Sequence, residues 1–284
     1  MRGHLRVLTL NIWNRCGPHA ERIALIREGL RALSPDVVGL QEVVRATEGD
    51  MLDQLATLAE GLGYHAFFGR TPIDQGYPFG NAILSRWPLV RTAVFPLPRG
   101  GTDEFRNLTF AEIDAPFGKL PFFTTHLNWK LHEGHVRARQ VREIADRVKA
   151  LAPLSGAGGG GSVGGIGGGA GFPPIVVGDF NAEPESDEIR FMRGWTSLGG
   201  DSVYFADAFA LAGDGSRGAT FCRRNPYANP CREPERRLDY VFVRGPDDRG
   251  RGEPLEARVC FDEPTGEVWP TDHFGVLASI ATGT

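Results

Sequence analysis

An aspartate and an asparagine lie two residues apart at the end of an apolar strand, in the run Ile175-Val176-Val177-Gly178-Asp179-Phe180-Asn181. Alternate residues of a strand share a face, so the side chains of Asp179 and Asn181 can converge on one point. Such polar groups are costly at the end of a buried strand unless something uses them. A water molecule that attacks a phosphorus centre would use both of them.

Polar side chains also border three further apolar runs, at residues 5–10, 37–40 and 274–280. The polar residues at these borders are Asn11, Gln41, Glu42, Asp272 and His273. The sequence therefore predicts that polar groups cluster at the ends of strands.

Nine segments have the length and composition of strands, at residues 5–11, 36–41, 64–68, 81–85, 108–113, 120–126, 175–179, 238–243 and 276–280. Apolar residues repeat at helical spacing in three segments, at residues 21–33, 51–62 and 136–151. So many strands with so few helices favour two packed sheets with helices on their outer faces. We expect one domain over residues 1–284.

Composition bounds the function as well as the fold. The chain has 284 residues, 41% hydrophobic and 23% charged, which is ordinary for a globular protein and excludes disorder of the whole chain. A net charge of -4 gives no overall attraction to polyanions, so any contact with nucleic acid must come from a local patch. No apolar run approaches the ~20 residues of a membrane span, and no signal peptide is evident, so we expect a cytoplasmic location.

Two further features have a plain interpretation. The Gly-rich segment at residues 155–171 lacks the following Lys-Ser/Thr of a phosphate-binding loop and is interpreted as a flexible surface insertion. The four cysteines lack the Cys-x-x-Cys spacing of zinc knuckles and are expected to be reduced thiols. Cys222 and Cys231 flank a Pro-rich loop and would pair only in an oxidising compartment.

Seven short motifs occur in order along the chain: Thr9-Leu10-Asn11, Gln41-Glu42, Gly80-Asn81-Ala82-Ile83-Leu84-Ser85-Arg86, Thr125-His126-Leu127, Gly178-Asp179-Phe180-Asn181, Arg237-Leu238-Asp239-Tyr240 and Thr271-Asp272-His273. Each is weak alone, but together they resemble the endonuclease/exonuclease/phosphatase superfamily. The resemblance implies a four-layered α/β sandwich, with two packed mixed β-sheets flanked by helices. It also implies hydrolysis of a phosphate ester with a divalent metal, usually Mg²⁺, with Mn²⁺ as an alternative ion.

The resemblance assigns a metal site to Glu42 and Asn11. The chemistry agrees, because Glu42 is a hard carboxylate ligand of the type that Mg²⁺ prefers and Asn11 supplies a neutral oxygen. Asp272 would join this set or hold a second ion. A site with so few protein ligands leaves positions for water and a phosphate oxygen.

The resemblance also implies the catalytic roles. Asp179 and Asn181 would orient the attacking water, and Asn181 would also donate a hydrogen bond to a phosphoryl oxygen. His273 would lie over the phosphate with Asp239 as its partner, which would favour the imidazolium form. Whether His273 then acts as a general base or as a charge clamp stays open at this point.

His126 is the candidate second imidazole, which would stabilise the leaving group. Abasic-site endonucleases of the superfamily commonly have a Tyr in this region, whereas pancreatic-type deoxyribonucleases and bacterial sphingomyelinases resemble this chain in having His. The residue therefore favours the latter branches over abasic-site repair. Asn81 and Asn128 are weaker candidates for supporting His126 or binding phosphate.

Two basic stretches lie outside the motifs. One, at residues 128–147, contains two histidines and four arginines and either lines a phosphate-rich substrate or solvates the outer face of a helix. The other comprises the arginines at positions 223–237 around Tyr227, which could steer an anionic substrate. Tyr227 could stack on a base or a lipid headgroup, or simply pack within its loop.

These observations give three functional hypotheses. The leading one is a metal-dependent phosphodiesterase that acts on DNA or another nucleic acid. The second is hydrolysis of a phospholipid headgroup, as in sphingomyelinases, or of a small phosphate ester. The third is a catalytically idle binding module on the same scaffold, which the presence of Glu42, Asp179, Asn181 and His273 disfavours. No protein partner is predicted.

Overall fold

The computed structural model describes residues 3–46, 53–72, 77–153 and 171–283, and contains two six-stranded sheets. The first sheet comprises β1 His4–Asn11, β2 Val37–Val44, β3 His65–Arg70, β4 Phe79–Ser85, β11 Pro254–Cys260 and β12 Gly275–Ala281, in the order β11-β12-β1-β2-β4-β3. The second comprises β5 Leu89–Pro96, β6 Asn107–Ala115, β7 Gly118–His126, β8 Ile175–Asp179, β9 Ala206–Asp207 and β10 Asp239–Val243, in the order β5-β6-β7-β8-β10-β9.

The helices of the described residues pack on the outer faces of the sheets, except the short helix at residues 208–212, which packs in the apolar layer between the sheets. They are α1 His19–Leu33, α2 Gln54–Ala59, α3 Gly134–Leu151, α4 Asp187–Met192 and α5 Ala208–Ala212, with a 3-10 turn at Asn229–Cys231. The predicted helix at residues 51–62 is shorter than expected, because Asp53 accepts a hydrogen bond from the Ala56 amide at 2.8 Å and caps α2 there. Residues 51–52 lie outside the described part of the chain.

Three apolar clusters define the four layers. The inner cluster lies between the sheets and includes Val7 of β1 and Val177 of β8. The two outer clusters join each sheet to its helices, with Leu8 of β1 packed in the cluster that contains Ile26 of α1. Adjacent residues of β1 thus face opposite layers, as the two-residue period of a strand requires. The predicted four-layered α/β sandwich is confirmed.

All nine predicted strands are present; the strand at residues 175–179 has the predicted ends, and the ends of the others differ from the predicted ends by at most three residues. Two longer unpredicted strands, Leu89–Pro96 and Pro254–Cys260, are edge strands. All four cysteines are free. The Gly-rich segment lies, apart from Gly171, outside the described residues, and the single domain over 1–284 remains a prediction. Across the described ranges, no helix combines the length and hydropathy needed to cross a bilayer.

Candidate active site

Strand register brings three candidate residues onto one rung of the second sheet. His126 at the end of β7 is paired with Asp179 at the end of β8, and Asp179 is paired with Asp239 at the start of β10. Neighbouring strands lie about 4.8 Å apart, so these side chains are close neighbours. They are far apart in sequence, and only the pairing of β7, β8 and β10 unites them.

The polar residues of the first sheet lie next to this rung of the second sheet. β1 and β2 are parallel, as are β7 and β8, so the carboxyl ends of all four strands meet at one edge of the sandwich. Asn11 at the end of β1 bridges the two sheets, since its amide nitrogen donates to Asp179 Oδ2 at 3.1 Å. Beneath it, Gln41 Nε2 donates to Thr124 Oγ1 of the other sheet at 2.8 Å.

A cleft of about 500 Å³ opens at this edge. Seven of the eight predicted catalytic and metal-binding residues line it: Asn11, Glu42, His126, Asp179, Asn181, Asp272 and His273. The eighth, Asp239, is fully buried behind His273. The motif residues therefore converge on one cavity.

Asp179 lies at the centre of the cluster. Its Oδ1 accepts the Asn181 main-chain amide at 2.9 Å, and its Oδ2 lies 3.4 Å from His126 Nε2 and 3.7 Å from His273 Nε2. Burial raises the pKa of Asp179, and the positive charge of His273 opposes this rise without cancelling it. The carboxylate is thus a stronger base than an exposed aspartate.

His273 is held between two carboxylates. Its Nδ1 lies 2.9 Å from Asp239 Oδ2, its Nε2 faces Asp179, and Phe221 packs on its ring at 5.0 Å between centroids. Burial lowers the pKa of His273, but the charges of Asp239 and Asp179 outweigh burial, so the pKa lies well above its usual value. The ring is therefore an imidazolium at neutral pH. The side chains of Asp179, Asp239 and His273 also form a group whose atoms could hold a metal ion, which would compete with the proton on the ring.

His126 has the opposite protonation state. Burial lowers its pKa well below the usual value, and the positive charges of Arg106 and His273 lower it further. Its Nδ1 is buried without a hydrogen-bond partner within the described residues and lies 4.0 Å from Glu42 Oε1. An unpartnered buried nitrogen in a cleft wall is expected where a ligand completes the hydrogen bonding.

Glu42 adopts a strained backbone conformation. Its φ is 59°, in the left-handed region, and it lies where β2 loses regular register with β4. Its two carboxylate oxygens accept hydrogen bonds from the amide nitrogens of Asn11 at 3.4 Å and Asn14 at 2.6 Å. With this backbone conformation, the Glu42 carboxylate lies in the lining of the cleft.

Asp272 faces the same part of the cleft. Burial raises its pKa to about 7; His273 lowers the pKa and the negative charge of Glu42 raises it. Two carboxylates that repel each other in a shared cleft fit a hard divalent cation, which would relieve the repulsion. The donor set of Glu42, Asp272 and the Asn11 amide is consistent with Mg²⁺.

The three weaker candidates make contacts with other residues of the protein. The amide nitrogen of Asn81 donates to Asn107 Oδ1 at 2.9 Å, and that of Asn128 donates to Glu133 Oε2 at 2.8 Å. Tyr227 stacks on Trp13, with ring centroids 4.8 Å apart. None of the three is among the residues that line the cleft, so contact with substrate remains a prediction for each.

Several important residues were not identified from the sequence. Trp13, Asn14, Arg106 and Trp129 line the cleft, and Arg22 is buried below it. The sequence gave a partial signal for Asn14 and Trp129, because each follows a motif residue by three positions, Asn11 and His126 respectively. Arg22 gave none, since it follows the pattern of an ordinary amphipathic helix.

Comparisons with known proteins identify the family of this chain. A model of the Endonuclease/Exonuclease/phosphatase family matches residues 8–273. The uncharacterized protein YbhP of Escherichia coli K12 is 26% identical over 186 residues, which cover 62% of this chain and 66% of YbhP, just under two thirds of its length.

Solved structures show the same architecture. The endonuclease/exonuclease/phosphatase from Beutenbergia cavernae is 27% identical with a TM-score of 0.71, covering 100% of this chain and 72% of that one. Humanized D. rerio TDP2 is 20% identical with a TM-score of 0.70 and 98% coverage of both chains. The human Nocturnin catalytic domain, solved with a bound sulfate anion, is 22% identical with a TM-score of 0.69, covering 99% and 95% of the two chains. The last two similarities concern the fold alone.

The family match runs from β1 to His273 and thus includes every motif of the cleft. The predicted superfamily is confirmed, and its members are generally hydrolytic phosphoesterases that depend on divalent metals. This chain belongs to the endonuclease/exonuclease/phosphatase family.

Proposed function

We propose that this protein is a Mg²⁺-dependent phosphodiesterase of the nuclease type. One observation carries the proposal: a repelling carboxylate pair, an imidazolium and a neutral imidazole share a single cleft. These are the groups needed to bind a cation, bind an anionic phosphate and donate a hydrogen bond to a leaving oxygen. A cytoplasmic location, predicted from the N-terminal sequence, stays a prediction.

Glu42 and Asp272 would hold the cation, with Asn11 as a neutral ligand. When bound, the cation polarises a phosphoryl oxygen and stabilises negative charge on the departing oxygen. Asn11 Oδ1 already accepts the Trp13 main-chain amide at 3.0 Å, and its second lone pair remains for this role.

Asp179 and Asn181 would prepare the nucleophilic water. The raised pKa of Asp179 suits it to accept a proton closer to neutral pH than an exposed aspartate would. One hydrogen of the Asn181 amide donates to the Leu127 carbonyl at 3.1 Å, which orients the group and leaves the other hydrogen for a phosphoryl oxygen.

The two histidines would divide the remaining work. His273 is protonated and hydrogen-bonded to Asp239, which supports a role as a charge clamp on the phosphate instead of a general base. His126 is neutral, and its ring N–H can donate a hydrogen bond to the leaving oxygen. Of the two roles that the sequence left open for His273, this division favours the clamp.

The test is Mg²⁺-dependent turnover on a panel of plasmid DNA, RNA, sphingomyelin and bis-p-nitrophenyl phosphate, with EDTA as the metal-free control. We expect hydrolysis of bis-p-nitrophenyl phosphate and of a nucleic acid, and no hydrolysis in EDTA. Preferential hydrolysis of sphingomyelin would favour the phospholipid alternative instead. No turnover on any substrate would overturn the proposal and favour an idle binding module.

A further inference from the structure

The Trp129 side chain is 56% exposed although it lines the catalytic cleft. Within the described part of the chain, no aromatic ring or cation stacks on its indole. Trp13 on the same cleft is different, because Tyr227 at 4.8 Å and the Arg22 guanidinium at 4.9 Å pack against its ring. Trp129 therefore presents an open aromatic face to the cleft.

The backbone on both sides of Trp129 is fixed. Asn128 N donates to Gln140 Oε1 at 3.0 Å, and Lys130 N donates to Asn128 Oδ1 at 3.1 Å. The buried Arg137 donates to the main-chain carbonyls of Asn128 at 3.3 Å and Lys130 at 2.8 Å. The exposure of the indole is thus a property of a rigid loop, and a ligand that stacks on it meets a preorganised surface.

Trp129 is also close to the chemistry. It follows His126 by three residues, which span at most about 11 Å of extended chain. Leu127 N donates to the Asp179 carbonyl at 2.9 Å, so this short segment starts at the catalytic rung itself. The indole can therefore reach a group attached directly to the reacting phosphate.

Charge along the cleft does not suit a long polyanion. Both arginines that line it are paired with carboxylates: Arg106 with Glu104, and Arg236 with Glu233 at 2.6 Å. Binding many phosphates requires cations that are free to replace counterions. No lysine and no other arginine of the described residues lines the cleft, so it offers few cations beyond the proposed metal.

Six of the nine arginines in the two basic stretches are paired with carboxylates in the same way. Arg237 makes two bonds of 2.9 Å to the Asp207 carboxylate, and Arg224 pairs with Asp262 at 3.0 Å. On α3, Arg142 pairs with Asp201 at 2.7 Å. These arginines stabilise the fold and its loops, and they provide no continuous cationic track.

We propose that the substrate is a nucleotide-type phosphodiester recognised by one phosphate and by one base that stacks on Trp129. This inference rests on the proposed function and narrows it, since recognition would not depend on a long strand. A base has an aromatic face that matches the indole, and stacking of this kind changes affinity by about 10- to 100-fold. A phospholipid headgroup lacks such a face.

The first experiment compares wild-type protein with Trp129→Ala and Trp129→Phe on a dinucleotide and on its abasic analogue. We expect Trp129→Ala to raise KM for the dinucleotide about 10- to 100-fold while Trp129→Phe stays near wild type, because Phe also stacks. The abasic analogue should not distinguish the variants. Trp195→Ala is the matched control, since Trp195 is 61% exposed and does not line the cleft.

An unchanged KM of Trp129→Ala for the dinucleotide would overturn the inference, as would an equal loss on the abasic analogue. A second measurement compares the dinucleotide with a strand of about 20 nucleotides over a range of salt concentrations, where each contacted phosphate of a single strand adds a slope of about -0.7. We expect similar KM values and a shallow slope. A KM that falls steeply with strand length would overturn recognition by a single phosphate.

The controls separate this inference from the proposed function. Wild-type protein that fails to hydrolyse even bis-p-nitrophenyl phosphate with Mg²⁺ would overturn the proposed function. Wild-type protein that hydrolyses this substrate and prefers glycerophosphocholine to the dinucleotide would overturn the base-stacking inference while the Mg²⁺-dependent phosphodiesterase activity stands.

Discussion

Arg22 provides a quantitative test of how the cleft is held together. This fully buried side chain donates five hydrogen bonds to main-chain carbonyls, at distances of 2.8–3.1 Å. The acceptors are the carbonyls of Ile12, Trp13, Asn14, Cys16 and Pro270. Arg22 thus ties the loop after β1 to the segment that leads into Asp272 and His273.

The loss of stability on removing Arg22 depends on which of the five carbonyls would keep another hydrogen-bond donor. The Trp13 and Asn14 carbonyls accept other donors, Cys16 N at 3.2 Å and Gln54 Nε2 at 2.6 Å. The Cys16 residue is exposed, so water can replace the guanidinium there.

The carbonyls of Ile12 and Pro270 have no other hydrogen-bond donor within the described residues. Each orphaned buried carbonyl costs about 1–3 kcal/mol. Burial lowers the pKa of Arg22, which shows that its charge is costly to bury. Removing that charge therefore offsets part of the lost stability. Arg22→Met should therefore lower the free energy of unfolding by about 3 kcal/mol.

The same substitution should reduce kcat by at least about 10-fold, because displacement of the loop misaligns Asp272 and His273. Stability is measured by urea unfolding, and kcat by hydrolysis of bis-p-nitrophenyl phosphate under conditions where the variant is folded. Arg31→Met, at an exposed position of the same helix, is the control and should change neither quantity. The reasoning is refuted if Arg22→Met is as stable as this control, or if it loses stability with kcat intact.

Four further predictions concern the cleft and the Gly-rich segment. His273→Ala should lower kcat by at least ~10² with an unchanged circular dichroism spectrum, and an undiminished rate would remove His273 from the mechanism. Glu42→Gln should weaken the Mg²⁺ dependence of activity more than it lowers the Tm, whereas an unchanged metal titration would contradict the ligand assignment. The pKa of His273 is raised in the folded protein, so the stability that its positive charge contributes is complete below pH 6.5 and is lost as the pH rises through the raised pKa. Asp239→Asn should flatten this loss of stability with pH, measured by urea unfolding in the presence of EDTA. An unaltered pH profile would contradict the pairing of His273 with Asp239. Deletion of residues 158–169, which lie outside the described part of the chain, should leave kcat/KM nearly unchanged, and a large loss would show that the segment is not passive.

Local sequence was most informative where an apolar run has sharp ends. The strand Ile175–Asp179 matches its predicted bounds, since Gly178 and Asp179 interrupt a run of β-branched residues. Leu89–Pro96 and Pro254–Cys260 were not predicted, because each pairs on one side only and most of its side chains are exposed or half-buried. Such edge strands lack a regular apolar pattern, and their neighbours in the sheet stabilise them.

The chemical identity of the site residues was readable in the chain, because each follows or precedes a recognisable strand. Their charge states were not. His126 and His273 are the same residue type at the same cleft, yet one ring is neutral and the other is an imidazolium. Burial lowers the pKa of both rings, but at His273 the carboxylates of Asp239, 34 positions away in the chain, and Asp179 outweigh burial, whereas at His126 the charge of Arg106 adds to it. Burial and the electric field of distant residues set a pKa, and both exist only once the two sheets have packed.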